Sequence, residues 1–414
     1  MSEMVPDGWS TIQIEKLGNT FGGLTGKTSN DFGHGYPFLT YMQVFSQKTS
    51  DKEGVNFVQI SEDEKQNKVV YGDILFTTSS ETPNEIGMTS VFLEKDWSPY
   101  LNSFCFGLRP TIPSPIDPLF TKYVFRGDKF RGDILPLAQG STRFNLSKGN
   151  LRKLSFLHPP LPEQKKIASV LISVDEVIEK TQSQINKLQD LKKGTMNELL
   201  TKGIGHTEFK DSPVGKIPEG WEVKTLGDLA KVKRGASPRP IQDPKWWGGT
   251  VGWTRISDVT SSSKYLTETS DYLSDEGVEK SVQIPVGEVI LSICATIGRP
   301  IIIKTDVCIH DGFVWFDGLS NDIDREFYYY FLKSKEEILS SSRQTGTQGN
   351  LNTDIVSRLP IHLPPLPEQK KIASVLSSID KNIEEKQRKL EQTQSLKKSL
   401  MQDLLTGKVR VKVN

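Results

Sequence analysis

The sequence has few of the residues that build covalent or metal frameworks. Among 414 residues there are three cysteines and five histidines. Cys105, Cys294 and Cys308 are odd in number and none sits in a C-x-x-C pair, so neither a disulfide scaffold nor a zinc ribbon or finger has its ligand set. The histidines make no H-E-x-x-H, and all these side chains read as structural, with no metal site expected. Long apolar runs are also missing: nothing approaches the roughly 20 residues that span a bilayer. The opening MSEMVPDGWS has neither the basic nor the apolar region of a signal peptide, so a cytoplasmic location with no membrane contact is expected. Nor is there an excess of one charge: 52 Lys and Arg stand against 51 Asp and Glu. Nucleic-acid binders usually carry a basic excess. A DNA-facing surface here must be a local patch, or a partner must neutralise the phosphates.

Catalytic signatures are equally scarce. FGGLTGKT (residues 21–28) misses the phosphate-loop spacing, because the first glycine should fall at Phe21 and no helix pattern follows. There is no G-x-S-x-G, and no G-x-G-x-x-G after a strand. HPPL and LPPL (residues 158–161 and 363–366) lack the Asn or Asp and the aromatic of an adenine-methyltransferase loop, and read as extended proline segments before helices. No carboxylate pair recurs at an acid–base spacing. A catalytic role and a bound cofactor are therefore not expected of this chain.

What the sequence does have is an internal repeat. PPLPEQKKIASVL runs from Pro159 to Leu171 and, letter for letter, from Pro364 to Leu376, an offset of 205 residues. LKKGTMNELLT from Leu191 matches LKKSLMQDLLT from Leu396 at the same offset, and PDGW at Pro6 matches PEGW at Pro218. Each copy has a divergent front and a near-constant back. A period this long is not a solenoid; it is a duplicated two-part unit. The segments expected are 1–158 and 218–363 as globular domains, 159–201 and 364–406 as constant helices, 202–217 as a linker and 407–414 as a tail.

The constant parts carry a helical period. Ile167, Leu171, Val174, Ile178, Ile185 and Leu188 recur every three or four residues, as do Ile372, Leu376, Ile379, Ile383 and Leu390. The average of about 3.5 is a coiled-coil seam, interrupted at Thr181 and Lys386. Pro162 and Pro367 suit the first helical turn. A helix of about 38 residues is about 57 Å long. Neither helix can bury its seam alone, and the two copies are natural antiparallel partners. In the front parts, short apolar runs such as GDILFTT, SFCFGLRP, GEVILSI and DGFVWFDG are punctuated by Gly, Pro and Asp, which indicates strands. Residues 325–342 give the clearest helix there. The fold class expected is α+β: two mixed α/β domains joined by two long antiparallel coiled-coil helices, with an internal pseudo-twofold repeat.

The doubled LPPLPEQKKIAS leading into a long helix, the P-D/E-G-W openings, and the order of variable and constant regions resemble the DNA-specificity subunit of type I restriction–modification systems. The resemblance covers nearly the whole chain. It implies a non-catalytic subunit. Each variable domain would read one half of a split, asymmetric site on double-stranded DNA. The helices would set the spacer and dock two methyltransferase subunits, with restriction or translocase subunits joining indirectly. S-adenosylmethionine, ATP and Mg would then belong to partner subunits only. Docking falls on Gln164, Lys165, Ile167, Leu171, Gln369, Lys370, Ile372 and Leu376. A fused restriction–methylation enzyme and a coiled-coil scaffold unrelated to DNA are the alternatives. The absence of methyltransferase and nuclease motifs argues against the first.

Base readers are commonly polar and basic side chains on loops. In the first domain the candidates are Lys27, Thr28, Gln43, Thr78, Ser79, Ser80, Ser141, Thr142 and Arg143, with AQGSTRFN (residues 138–145) the strongest loop. Its counterpart in the second domain is QTGTQGN (residues 344–350), with Thr345, Thr347 and Gln348. Residues 231–258 add Lys231, Lys233, Arg234, Arg239, Lys245 and Arg255, interleaved with Trp246 and Trp247 in a pattern suited to phosphate and base contact. Trp253 is the expected core member of that stretch.

Overall fold

The structure, a computed structural model, describes residues 5–341 and 351–413. The chain forms two compact units, residues 1–182 with 388–414 and residues 183–387. Both are α+β. The first contains a five-stranded sheet in the order Gly18–Gly22, Cys105–Pro110, Ile74–Thr77, Thr89–Phe92, Thr49–Ser50, antiparallel but for its last pair. The second repeats this plan as Lys231–Arg234, Phe313–Asp317, Val289–Ser292, Pro300–Ile303, Tyr265–Leu266, again with only the last pair parallel. A smaller sheet accompanies each: Asn56–Val58, Phe32–Leu39 and Tyr100–Leu101 in the first, and Asp271–Leu273, Trp247–Thr254, Val307–Ile309 and Val282–Ile284 in the second. The divergent front parts of the repeat thus share a topology that their residues hardly reveal.

The constant segments form the two long helices, a central one at Leu161–Lys202 and a C-terminal one at Leu366–Leu405. Pro162 and Pro367 take the second position of each, where a missing N–H breaks no intrahelical bond. Each compact unit holds half of both helices. In the second unit Lys192 of the central helix meets Asp380, while the later Leu200 shares a core with the earlier Ile372 and Leu376, so the segments run antiparallel. In the first unit the early Asp175 meets the late Lys397. The stretch after the central helix, expected as a linker, folds into a hairpin of Phe209–Ser212 with Gly215–Pro218. Pro213 and Gly215, the latter at φ 102°, make its turn, and the Ser212 hydroxyl donates to the Gly215 carbonyl at 2.5 Å.

The seam residues do more than pair helices. Ile167 and Leu171 are fully buried against Phe76, Phe106, Phe125 and Phe156 of the first unit, and Leu404 and Leu405 enter the same core. Ile372 and Leu376 are buried with Trp221, Phe316 and Tyr328 in the second. Burying one such aliphatic side chain stabilises by about 1.5–3 kcal/mol. The N-terminal third of each seam is therefore domain core rather than coiled coil. Thr181, which breaks the apolar period, is buried with its hydroxyl donating to the Val177 carbonyl at 2.7 Å, so no polar group is left unpaired.

The repeated Pro-Glu-Gln supplies the polar half of the attachment. Trp9 donates its indole N–H to Glu163 (3.3 Å), and Trp221 donates to Glu368 (3.0 Å), which explains the paired P-D/E-G-W openings. Gln164 is fully buried. Its Oε1 accepts the Asp117 N–H (2.7 Å), and its Nε2 donates to the carbonyls of Pro115 (3.0 Å) and Pro159 (2.8 Å). Gln369 repeats the arrangement with the Asp324 N–H (2.8 Å) and the carbonyls of Asp322 and Pro364 (2.8 Å each). A glutamine amide can serve as acceptor and donor at once, and here it ties three backbone groups to the helix start.

About three turns further along, a carboxylate repeats the pattern. Asp175 accepts from the Tyr123 hydroxyl (2.8 Å), from Lys48 (3.0 Å) and from Lys397. Asp380 accepts from the Tyr330 hydroxyl (2.6 Å) and from Lys192 (2.5 Å). Burial alone would raise the Asp175 carboxyl, but the bonds from Lys397, Lys48 and Tyr123 outweigh it and hold it below its ordinary value. Lys48 is pushed the other way. Burial, together with Lys397 competing for the same carboxylate, brings it down to about 8.

Two predictions follow from these contacts. Gln369→Ala leaves the Asp324 N–H and two carbonyls without partners and is expected to destabilise the protein by about 2–3 kcal/mol, read as a lowered denaturation midpoint; an unchanged midpoint would contradict the latch. For Lys48, the unfolded chain keeps a proton above pH 8 that the folded chain has released, so its contribution to stability rises with pH from about 8 toward the ordinary lysine value. The difference in denaturation midpoint between wild type and Lys48→Met should therefore grow in favour of wild type across that window, and a flat difference would rule out the depressed lysine.

Candidate nucleic-acid interface

Each unit presents one polar edge at an equivalent place. Phe38–Leu39 run parallel to Tyr100–Leu101, and Trp253–Thr254 run parallel to Cys308–Ile309. In both units the chain leaves this strand pair in the same direction. One exit enters a short helix: Tyr41–Ser46, opened by a capping box at Thr40 and Gln43, or Ile256–Ser261, where the Asp258 carboxylate accepts the Arg255 N–H at 2.8 Å. The other enters a tight loop, residues 102–104 or 310–312.

In the first unit this edge holds a pocket of about 280 Å³ lined by Tyr41, Met42, Phe45, Ser79, Ser80, Glu85, Phe104 and Arg143. Strand Ser79–Ser80 pairs with Phe144–Asn145, which carries the loop of residues 139–143 onto the rim. The Tyr41 hydroxyl donates to the Ser79 carbonyl (2.6 Å), and the Thr78 hydroxyl donates to the Phe104 carbonyl (2.8 Å). Arg143 lies 5.9 Å from the Phe104 ring centre, close enough for a cation–π contact. Met42 and Phe104 are 59% and 54% exposed, unusual for apolar side chains with a core nearby. Thr78, Ser79, Ser80, Ser141, Thr142 and Arg143 are thus gathered at one edge.

The remaining first-domain candidates are not. Lys27 pairs with Glu64 at 2.5 Å, and Thr28 spends its hydroxyl and N–H on Asp31. Gln43 is buried: its Oε1 accepts the Thr40 N–H and its Nε2 donates to the carbonyls of Asp51 and Glu53. It holds the loop behind the edge and has no donor left for a base.

In the second unit the edge is built on Asp311. Its carbonyl accepts from Arg234 Nε (2.5 Å), and its carboxylate accepts from the Ser237 hydroxyl (3.0 Å) and lies 3.6 Å from Arg239. Next to it the Gly312 N–H donates to His310 Nδ1 (2.9 Å); burial lowers the His310 pKa and favours its neutral ring. A run of rings continues from His310 to Trp253 (5.9 Å) and Trp247 (6.0 Å), and Arg255 caps Trp247 at 5.8 Å while pairing with Asp271. Arg234, Arg239, Trp247 and Arg255 therefore belong to one connected cluster. Trp253 is core, 2% exposed.

Trp246 is a correction. It is buried, donates its indole N–H to the Pro240 carbonyl (2.9 Å), and supports the loop from behind; Lys245 packs on its ring at 4.2 Å. Lys231 lies at the far end of its strand, and Lys233, although next to Arg234, pairs with Asp317 toward that far end. Thr345, Thr347 and Gln348 lie outside the described residues.

The docking candidates are also redistributed. Gln164, Gln369, Ile167, Leu171, Ile372 and Leu376 are all fully buried inside their own units and offer nothing to a partner. Lys165 and Lys370 remain exposed, each followed by a second exposed lysine, Lys166 or Lys371. Tyr41, Met42, Phe104, His310 and Asp311 escaped the sequence reading. Their signal was weak, because SFCFGLRP and DGFVWFDG read simply as strands. Among the described residues no group of histidine, cysteine and carboxylate side chains could hold a metal ion, and no helix is long and apolar enough to cross a membrane.

Two divergent readers on a duplicated helical frame describe a class of DNA-selecting proteins, and comparison supplies the family. A model of the type I restriction modification DNA specificity domain matches the chain twice, over residues 6–190 and 218–393. The chain belongs to this family and is a non-catalytic DNA-specificity subunit. A Methanocaldococcus jannaschii protein that carries the designation type I restriction enzyme MjaX specificity subunit is 30% identical over 99% of this chain and 95% of its own length. The MjaVIII specificity subunit of the same organism is 35% identical over 61% of this chain and 62% of its own. The fold is shared with the type I restriction–modification S subunit from M. genitalium, at a TM-score of 0.57 and 14% identity over 98% of this chain and 97% of that one.

Proposed function

We propose that the polar edge of each unit reads one half of a bipartite, asymmetric sequence on double-stranded DNA. The observation that carries this is the contrast within the duplication. The helix latches are the same in both halves, Glu163 and Gln164 against Glu368 and Gln369, while the edges differ residue for residue. A constant frame with two different reading surfaces suits a target of two unlike blocks separated by a fixed gap, the gap being set by the helices. The exposed lysine pairs Lys165–Lys166 and Lys370–Lys371 occupy matching places on the two helices, which suits docking of two like methyltransferase subunits. Restriction or translocase subunits would join through those. S-adenosylmethionine, ATP and Mg belong on the partners in this reading, and the complex works in the cytoplasm. The near-zero net charge fits as well, since partners would supply much of the phosphate neutralisation.

The deciding experiment is co-expression with the methyltransferase subunit in an unmethylated host, followed by sequencing with base-modification detection. Two short blocks around a fixed gap are expected, and replacing residues 218–363 with those of another specificity subunit should change one block only. A continuous motif, or methylation that does not require this chain, would defeat the reading. Arg143→Ala should leave the fold intact, because the side chain is exposed, and weaken binding of the complex to its target about tenfold in a gel-shift assay. Unchanged affinity would remove the first unit's edge from the interface.

A further inference from the structure

We infer that Arg234 and Arg255 read guanine, so that the half-site selected by the second unit contains guanine at the positions these two residues face. The inference rests on the reading above and goes further, to the chemistry of the bases.

These two arginines are set apart by which of their nitrogens are already used. Arg234 donates through Nε to the Asp311 carbonyl, and Arg255 is anchored through Nε to the Asp271 carboxylate. Both side chains are exposed, and Arg255 is further seated on the Trp247 ring. An arginine held at Nε keeps the outer N–H groups of its two terminal nitrogens free, side by side in one plane. That is the fork that meets two acceptors side by side, and in the major groove the O6 and N7 of guanine form such a pair. A phosphate contact needs no such anchoring, since phosphate oxygens accept from many directions. Fixing the fork beforehand also removes part of the ordering cost of binding.

The first unit offers the contrast. Arg109 commits Nε and one terminal nitrogen to Asp73 and the Lys68 carbonyl. Arg126 and Arg131 point their terminal nitrogens inward, onto backbone carbonyls. These three hold the domain together and have no free fork at its edge. Anchored forks aimed outward thus distinguish the second edge from the first.

The test uses the assembled methyltransferase complex. First, its motif is determined by base-modification sequencing, and the block belonging to the second unit is identified by replacing residues 218–363. Arg234→Lys and Arg255→Lys keep the charge and the capacity to pair with the anchors but lose the fork. Each is expected to relax one guanine position in that block, with discrimination falling roughly 5- to 150-fold, as a bidentate pair implies. In gel shifts, a duplex with 7-deazaguanine at that position should bind wild type more weakly, and should bind the matching lysine variant no worse than unmodified DNA does. The inference is overturned if the block contains no guanine, if the variants weaken all sequences equally, or if 7-deazaguanine has no effect. If the replacement alters neither block, the two-reader function itself has failed; if it alters one block whose guanines the arginine variants leave untouched, only the base assignment has.

Discussion

The structure depends on two buried glutamine side chains. Gln164 and Gln369 each sit at the start of a long helix and join three backbone groups that no strand or helix ladder serves. Left without water or partners, such groups would each cost about 1–3 kcal/mol. Satisfying them from the helix fixes the domain's rotation against that helix as well as its attachment. The neighbouring glutamates hold the opening tryptophans, and the apolar residues one turn on enter the domain cores. A shift of the helix by one residue would break every one of these contacts together. This is why the segment tolerates no change between its two copies, whereas the edges it supports have diverged.

The repeated carboxylates extend this logic along the helices. Asp175 and Asp380 each receive a tyrosine hydroxyl from the domain and a lysine from the opposing helix, so one side chain couples domain to helix and helix to helix. Ion pairs on open surfaces contribute little. These are sheltered, and their carboxylates are bonded from more than one side, so losing a partner would strand a charge. The duplication is not perfect in detail. Asp175 shares its charge between two lysines, Lys48 and Lys397, whereas Lys264 in the second unit turns toward the Tyr330 hydroxyl and Ser377. Lys264 also pairs with Glu326, so the second unit gives its lysine a carboxylate partner other than the helix aspartate.

Much of the frame was legible in the sequence because repetition exposes it. The offset of 205 residues aligns Glu163 with Glu368, Asp175 with Asp380 and Lys192 with Lys397, and the heptad-like period announces the helices. Repetition does not reveal which side of a residue faces inward. Ile167 and Leu171 look like seam residues and are domain core; Gln164 looks like surface polarity and is sealed. The sites were less legible still. Gln43 and Trp246 carry polar groups and lie in short helical turns near the edges, but their hydrogen bonds turn inward. Met42 and Phe104 look like core and are exposed. Arginine was the best guide on the edges, where Arg143, Arg234, Arg239 and Arg255 all lie exposed, although Arg126 and Arg131 turn inward and are satisfied by backbone carbonyls alone.

The antiparallel sharing of the helices makes the two units unequal in time. The second unit is a continuous stretch of chain and has all its parts once residue 387 has been synthesised. The first begins earlier but lacks its last core residues, Leu404 and Leu405, and the Arg410 that clasps Glu163 beside Trp9, until after the whole second unit has been made. Protein domains generally fold in the order they emerge; here the domain made first is completed last. Its apolar face on the central helix must wait, unsealed, for more than two hundred residues, and the nascent chain spends that interval exposed to the very aggregation its finished core prevents.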